Sequence, residues 1–340
     1  MKKVFLIFTA LLFMGCSSVM KGLKTDKAVK IIFDTDMGND IDDGLALDML
    51  YKYVEDGKVD LLAITSNKKE SGSTEYLDIM NNFYGFPNVP IGKITDGPDS
   101  KKGDHFAFNV SQDKSYKRSI KDYDKIPESV DLLRKTLQKH KNNSVVIVAV
   151  GFSSNLSRLL DSKPDDISPL TGKELIAKKV KYLCMMAGDF RPERKHSEYN
   201  VRLDKQSAQN VFKNWPTKIV TSPFEVGLDI KYPGSSISKD FTYVKKHPLV
   251  KGYEAFAKMP YDRQTWDLTS VLYAVEGDGN GKYFSLSSAG NIEVQEDSKT
   301  VYEPSAKGNR YYLKVNEEQK KAVANRFLEI ITRVPKVLEK

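Results

Sequence analysis

Five apolar runs constrain what this chain can become. "KIIFDTD", "VDLLAIT", "SVVIVAV", "VKYLCMMAG" and "TKIVTSP" carry hydrophobic residues at consecutive positions, not alternate ones. A strand with one wet face alternates, whereas a strand buried on both faces does not. Between the runs lie stretches with apolar residues at helical spacing, such as "DDGLALDMLYKYVEDG" and "STEYLDIMNNFYG". Fully buried strands separated by helices predict an α/β fold: an open, mainly parallel sheet with helices on both faces. "VPIGKI" adds a short third strand. "HPLVKGYEAFAK", "DLTSVLYAV" and "NEEQKKAVANRFLEIITRV" read as further helices. "KYFSLSS", "NIEVQ" and "RYYLKV" read as a small antiparallel piece near the C-terminus. No internal repeat or long linker divides the chain, so residues 29–340 are expected to form a single domain.

The first 28 residues fall outside this pattern. Lys2 and Lys3 precede an apolar run from Val4 to Met14, too short for a spanning anchor and typical of a secretory signal. It ends in "LFMGCSS", which resembles the bacterial lipoprotein cleavage box. The resemblance implies removal of residues 1–15, lipidation of Cys16 and a polar tether over residues 16–28. It also implies a place in the cell envelope, with the lipid as the only membrane contact. The other cysteine, Cys184, lies in an apolar run and reads as a small core residue. The formal charge of +8 is spread over scattered lysines. Without a dense basic block and interleaved aromatics, nucleic acid is not an expected partner.

The stretch "KIIFDTDMGNDIDDGLALDML" carries Asp34, Asp36, Asp40, Asp42, Asp43 and Asp48. Open parallel sheets bind ligands outside the carboxyl ends of their strands. Asp34 and Asp36 end the first strand, while Asp40, Asp42 and Asp43 occupy the loop and the first turn of the next helix. Capping and the helix dipole account for Asp42 or Asp43. They do not account for five neighbouring acids, which repel one another and call for a cation. An all-oxygen donor set suits Ca²⁺ or Mg²⁺. An EF-hand loop counted from Asp34 needs an acid at its twelfth position, where Leu45 stands. A haloacid-dehalogenase phosphatase also begins D-x-D, and "AGDFRPE" at Asp189 is faintly similar to its later acidic motif. Gly38 stands where that family wants Thr or Val, and the remaining aspartates go unexplained.

A third pattern fits. "DTDMGNDIDDGLAL" resembles the D-x-D-x-G-x-D-D-A-x-A-L signature of the inosine-uridine-type nucleoside hydrolases, with two residues inserted before the aspartate pair and Gly44 in place of Ala. "VVIVAVGFSSNLSRLL", "MMAGDFRPERKHSEYNVRLDKQSAQNVF", "EVGLDI" and "TWDLTSVLYA" resemble later blocks of that family, in the same order. The resemblance implies a Rossmann-like fold and Ca²⁺-dependent hydrolysis of the N-glycosidic bond of nucleosides. It implies Asp36, Asp43, Asp267 and the backbone carbonyl of Val150 as Ca²⁺ ligands, with Asp36 as the base that activates water. Asp42, Asn67, Glu198 and Asn200 would grip the ribose. Asp34 would support the site from behind. Asp40 belongs to the insertion and is an alternative to Asp42. Members of the family often form dimers or tetramers.

The departures lie on the leaving-group side. Trp266 precedes the late aspartate where many members have His, and it hints at stacking on a purine base. "DFRPERKHSEYN" lacks the usual Gly-Asn pair and carries Arg191, Arg194, Lys195 and His196 instead. Those side chains either meet an unusual aglycone or are simply solvated; Arg191 and His196 are the candidates for a leaving-group acid. Three functions stay open: an envelope-tethered salvage nucleosidase, a metal-dependent hydrolase of another riboside, and a lipoprotein that binds sugar or nucleoside without turnover.

Overall fold

The computed structural model describes residues 28–69, 72–98, 105–194 and 197–339. The expected strands form where the apolar runs lie. They are β1 (Val29–Thr35), β2 (Val59–Ser66), β3 (Ile91–Gly92), β4 (Val145–Ala149), β5 (Val180–Met186) and β6 (Lys218–Ser222). A short antiparallel pair follows, β7 (Lys231–Tyr232) with β8 (Arg263–Gln264). The last strands are β9 (Ser285–Leu286), β10 (Gly290–Val294), β11 (Thr300–Pro304) and β12 (Arg310–Lys314).

The main sheet runs β3-β2-β1-β4-β5-β6-β12-β10-β11, parallel from β3 to β12. The C-terminal strands are not a separate piece. β12 pairs in parallel with β6, and β10, β11 and β9 attach antiparallel beyond it. Alternation in a sequence identifies a half-buried strand but does not say which edge it will join.

Both faces are buried, as the continuous apolar runs require. Ile31 and Phe33 pack on one side of β1 and Ile32 on the other. In β4, Val146 and Val148 face one core, while Val145, Ile147 and Ala149 face the second. The first core is covered by the helices Asp42–Glu55, Trp266–Glu276 and Glu317–Ile331. The second is covered by Ser129–Lys139, Ser154–Asp161, Gly172–Lys179 and Lys205–Asn214. Cys184 is buried in the first core, with its thiol donating to the Ser270 carbonyl. Among the described residues no helix is long and apolar enough to cross a membrane. The signal segment, Cys16 and most of the tether lie outside the described residues.

The topology positions the site. From β1 the chain builds outward through β2 and β3, then returns to place β4 on the other side of β1. The crevice outside the carboxyl ends of β1 and β4 is therefore the switch point at which open α/β sheets bind ligands. Asp36 follows β1 and Val150 follows β4.

Candidate active site

A cavity of about 730 Å³ opens at that switch point. Asp36, Asp40, Asp42, Asp43 and Asp267 line it, together with Val150, Glu198 and Asn200. Phe106, Phe224, Phe256 and Trp266 line it as well. Its wall is thus both anionic and aromatic.

Two helix N-termini bring the acids together. Asp42 and Asp43 occupy the first turn of the helix Asp42–Glu55, and Asp267 that of Trp266–Glu276. Neither Asp42 nor Asp43 caps its own helix: the N-cap is Ile41, with no side-chain cap bond. The backbone N–H of Asp267 donates to Asp42 Oδ2 at 3.1 Å instead, tying one helix start to the other. Carboxylate oxygens of Asp42, Asp43 and Asp267 lie within 4.8 Å of one another. Both helix dipoles point their positive ends at this cluster.

Burial and mutual repulsion dominate the electrostatics. Asp43 is pushed well above the usual carboxylate range, first by burial and then by the charges of Asp36 and Asp42. Burial and then Asp40 do the same to Asp42, and burial followed by Asp42 and Asp43 to Asp267. Burial raises Asp36 to about 6, opposed by a hydrogen bond from Asn39 and the charge of Lys68. Such a group is stable in its ionised form only with a positive partner. Three converging buried carboxylates with all-oxygen chemistry fit a hard divalent cation.

The structure places the expected acids side by side. Asp42, expected at the ribose, lies close to Asp43 and Asp267. Asp36, expected as a ligand, stands beside that trio with Oδ2 accepting from Asn39 Nδ2. Asn39 Oδ1 in turn accepts from the buried Lys68 Nζ at 2.8 Å. Asp43 Oδ1 accepts from Thr35 Oγ1. Thr35, Asn39 and Lys68 are thus site residues that the sequence reading missed. Two of them sit inside the opening motif and the third follows Asn67.

Other expected residues divide between wall and foundation. Asp34 is wholly buried and accepts from Thr65 Oγ1 at 2.6 Å, Asn155 Nδ2 at 2.7 Å and Asn67 Nδ2 at 2.8 Å. Burial still raises its carboxyl to about 6. Asn67, expected at the ribose, lies beside Asp34. It does not line the cavity: its amide donates to Asp34, and its Oδ1 accepts from the Phe152 N–H at 3.1 Å. Its polar atoms are used in fastening β1 to the turn after β4. That turn is close-packed, since a Cβ on Gly151 would lie 2.6 Å from Asp36 Oδ1.

Glu198 does line the cavity. It caps the helix Tyr199–Leu203, accepting from the N–H groups of Asn200 at 2.7 Å and Val201 at 3.0 Å. Burial raises it to about 7. Asp40 lines the cavity as Asp42 does, and it pairs with Arg263.

On the aromatic side Trp266 stacks with Phe224, ring centroids 5.5 Å apart and planes 22° apart. Its Nε1 donates to the Phe224 carbonyl at 3.0 Å. Arg191 is not on the cavity wall. It pairs with Asp189 at 2.7 Å and its guanidinium lies over the Phe224 ring, 5.0 Å from the centroid. Lys195 and His196 lie outside the described residues. His105 does line the cavity, and burial lowers its imidazole to about 4. No motif marked it.

The comparisons with known proteins agree with this architecture. No curated protein matches the chain in sequence. Among solved structures, a plant nucleoside hydrolase superposes with a TM-score of 0.68 at 18% identity, covering 89% of this chain and 99% of its own. The inosine-uridine preferring nucleoside hydrolase of Bacillus anthracis gives 0.63 at 16%, covering 90% and 100%. The purine-preferring ribonucleoside hydrolase of Gardnerella vaginalis gives 0.66 at 16%, covering 89% and 98%. Identities this low speak to the shared fold. The family profile described as inosine-uridine preferring nucleoside hydrolase matches residues 31–326, almost the whole described domain. The chain therefore belongs to the inosine-uridine preferring nucleoside hydrolase family, glycosidases that act on N-glycosidic bonds.

Proposed function

We propose that this chain is a Ca²⁺-dependent N-ribohydrolase that releases ribose and a free base from ribonucleosides. One observation carries the reading: converging buried carboxylates and an aromatic wall share one cavity at the sheet's switch point. Asp43 and Asp267 would hold the cation together with Asp36 and the carbonyl of Val150, and Asp42 would grip the ribose. When bound there, a hard cation lowers the pKa of a coordinated water and orients sugar hydroxyls.

Asp36 accepts the proton of the attacking water. A bound cation would offset the burial that raises its carboxyl and keep it ionised, as a base must be. The Asn39–Lys68 relay holds its second oxygen and so aims the first. The water oxygen bonds to the anomeric carbon as the C–N bond breaks. The bonding pair leaves with the base, which takes up a proton from solvent water, while Asp36 returns its own proton to solvent. Glu198, Asn200 and Asp42 grip the sugar hydroxyls and hold the ring in a reactive pucker. Trp266 and Phe224 put an apolar aromatic wall beside the departing base, which suits a purine.

The test is a nucleoside panel incubated with purified protein, with and without chelator, and assayed for free ribose. Release is expected with Ca²⁺, is lost on chelation, and falls in Asp36→Asn by about 10²–10⁴-fold, the usual worth of a general base. Ca²⁺ binding with no ribose released from any nucleoside would overturn the reading. A further glycoside, or capture without turnover, would then stand in its place. The envelope location belongs to the same proposal; fatty-acid labelling of the full chain that survives Cys16→Ala would remove it.

A further inference from the structure

Asp40, in the insertion, and Arg263, which no family motif marks, meet across 223 positions of sequence. Asp40 lies in the loop inserted before the aspartate pair, two residues ahead of Asp42. Arg263 begins β8, four residues ahead of Asp267. Its Nε donates to Asp40 Oδ1 at 2.7 Å and its Nη2 to Oδ2, so the guanidinium fork engages both carboxylate oxygens. The same guanidinium carbon lies 4.9 Å from the Phe256 ring centroid and 5.2 Å from that of Trp266. Arg263 itself is not on the cavity wall; Asp40, Phe256 and Trp266 are. It contacts three lining residues, one acidic and two aromatic.

We propose that Arg263 is a positioning residue that clasps the carboxylate loop to the aromatic wall, so that cation site and base site are set as one unit. The proposal rests on reading the cavity as the nucleoside site. The clasp acts at the starts of the two helices that carry Asp42, Asp43 and Asp267. It runs beside the weaker backbone link from Asp267 N–H to Asp42. A single exposed ion pair contributes little to stability. This pair is about three-quarters shielded, with side-chain exposures of 21% and 26%, two-pronged, and pressed on two rings. Its geometry needs a planar fork, which Lys does not have. Without it the inserted loop loses its tether on this side, while Lys68 still holds Asn39 on the other.

The test uses the full chain after chelation, titrated with Ca²⁺ by calorimetry, together with steady-state kinetics on a purine nucleoside. Arg263→Lys and Asp40→Asn are each expected to weaken Ca²⁺ binding by about tenfold, the lower end of what outer partners of metal ligands are worth. Each should raise KM by a similar factor while kcat changes by less than threefold. The double variant should be no worse than either single, because both remove one interaction. Urea midpoints recorded alongside separate this from general loosening. A lower midpoint with Ca²⁺ affinity and KM within twofold of wild type overturns the proposal, as does a double variant whose losses multiply. A wild type that binds Ca²⁺ but cleaves nothing overturns the functional reading, and the Ca²⁺ affinities then decide the clasp. A wild type that binds no Ca²⁺ overturns both.

Discussion

Removing divalent cations should make the stability of this chain fall steeply with rising pH. Asp34 and Asp36 are both raised from 3.8 to about 6, with burial the largest cause. Asp42, Asp43 and Asp267 are raised further in the same direction. An acid with a raised folded-state pKa binds its proton more tightly in the folded chain than in the unfolded one. Its contribution is complete below pH 3.8 and is lost as pH rises through about 6. For Asp36 alone, a rise of about 2 pKa units corresponds to roughly 3 kcal/mol lost between pH 4 and pH 8. The five acids titrate together, so their losses do not simply add. Even roughly 3 kcal/mol is a large part of a typical folding free energy of about 5–15 kcal/mol. Glu198, raised to about 7, acts in the same direction, whereas His105, lowered to about 4, opposes it.

The assay is urea unfolding followed by tryptophan fluorescence, at pH 5 and pH 8, with chelator or with Ca²⁺. The chelated chain should be less stable at pH 8. Ca²⁺ at a hundred times its dissociation constant should return about 2.7 kcal/mol there. Asp43→Asn removes one buried charge and should flatten the pH slope of the chelated chain. A chelated wild type equally stable at both pH values would refute the electrostatic reasoning. So would an Asp43→Asn variant with the wild-type slope.

Two further substitutions probe the framework. Lys52→Met should cost roughly 3–5 kcal/mol in urea unfolding, because it strands a buried carboxylate. Lys52 Nζ lies 3.4 Å from the fully buried Asp48 and donates to the carbonyls of Ile331 and Arg333, so its loss also frees the end of the last helix; a cost below 1 kcal/mol would mean that the pair contributes nothing net. Gly151→Ala should lower ribose release by about 10²-fold, the effect of a displacement near 1 Å at a reacting group. The added Cβ would meet Asn67 Oδ1, Asp36 N and Asp36 Oδ1, all at 2.6 Å, and an unchanged kcat with unchanged Ca²⁺ affinity would show that the turn yields without moving Asp36.

Local sequence was enough for the parallel sheet, because consecutive apolar residues fit only a strand covered on both sides. Excess negative charge at the end of β1 was likewise enough to place the site, since repulsion among Asp36, Asp40, Asp42 and Asp43 is visible without coordinates. Family motifs then ordered the distant pieces, Glu198, Asn200 and Asp267. What sequence did not contain was the division of labour among neighbouring acids. That division depends on which donor faces which oxygen. Asn39 claims Asp36, Thr35 claims Asp43, the Asp267 backbone claims Asp42, and Arg263 claims Asp40. Asn67 shows the same limit: it lies next to the site in sequence and in space, yet its amide is spent on Asp34 and Phe152. Hydrogen-bond pairing is directional and joins residues as far as 281 positions apart, so only the folded chain decides it.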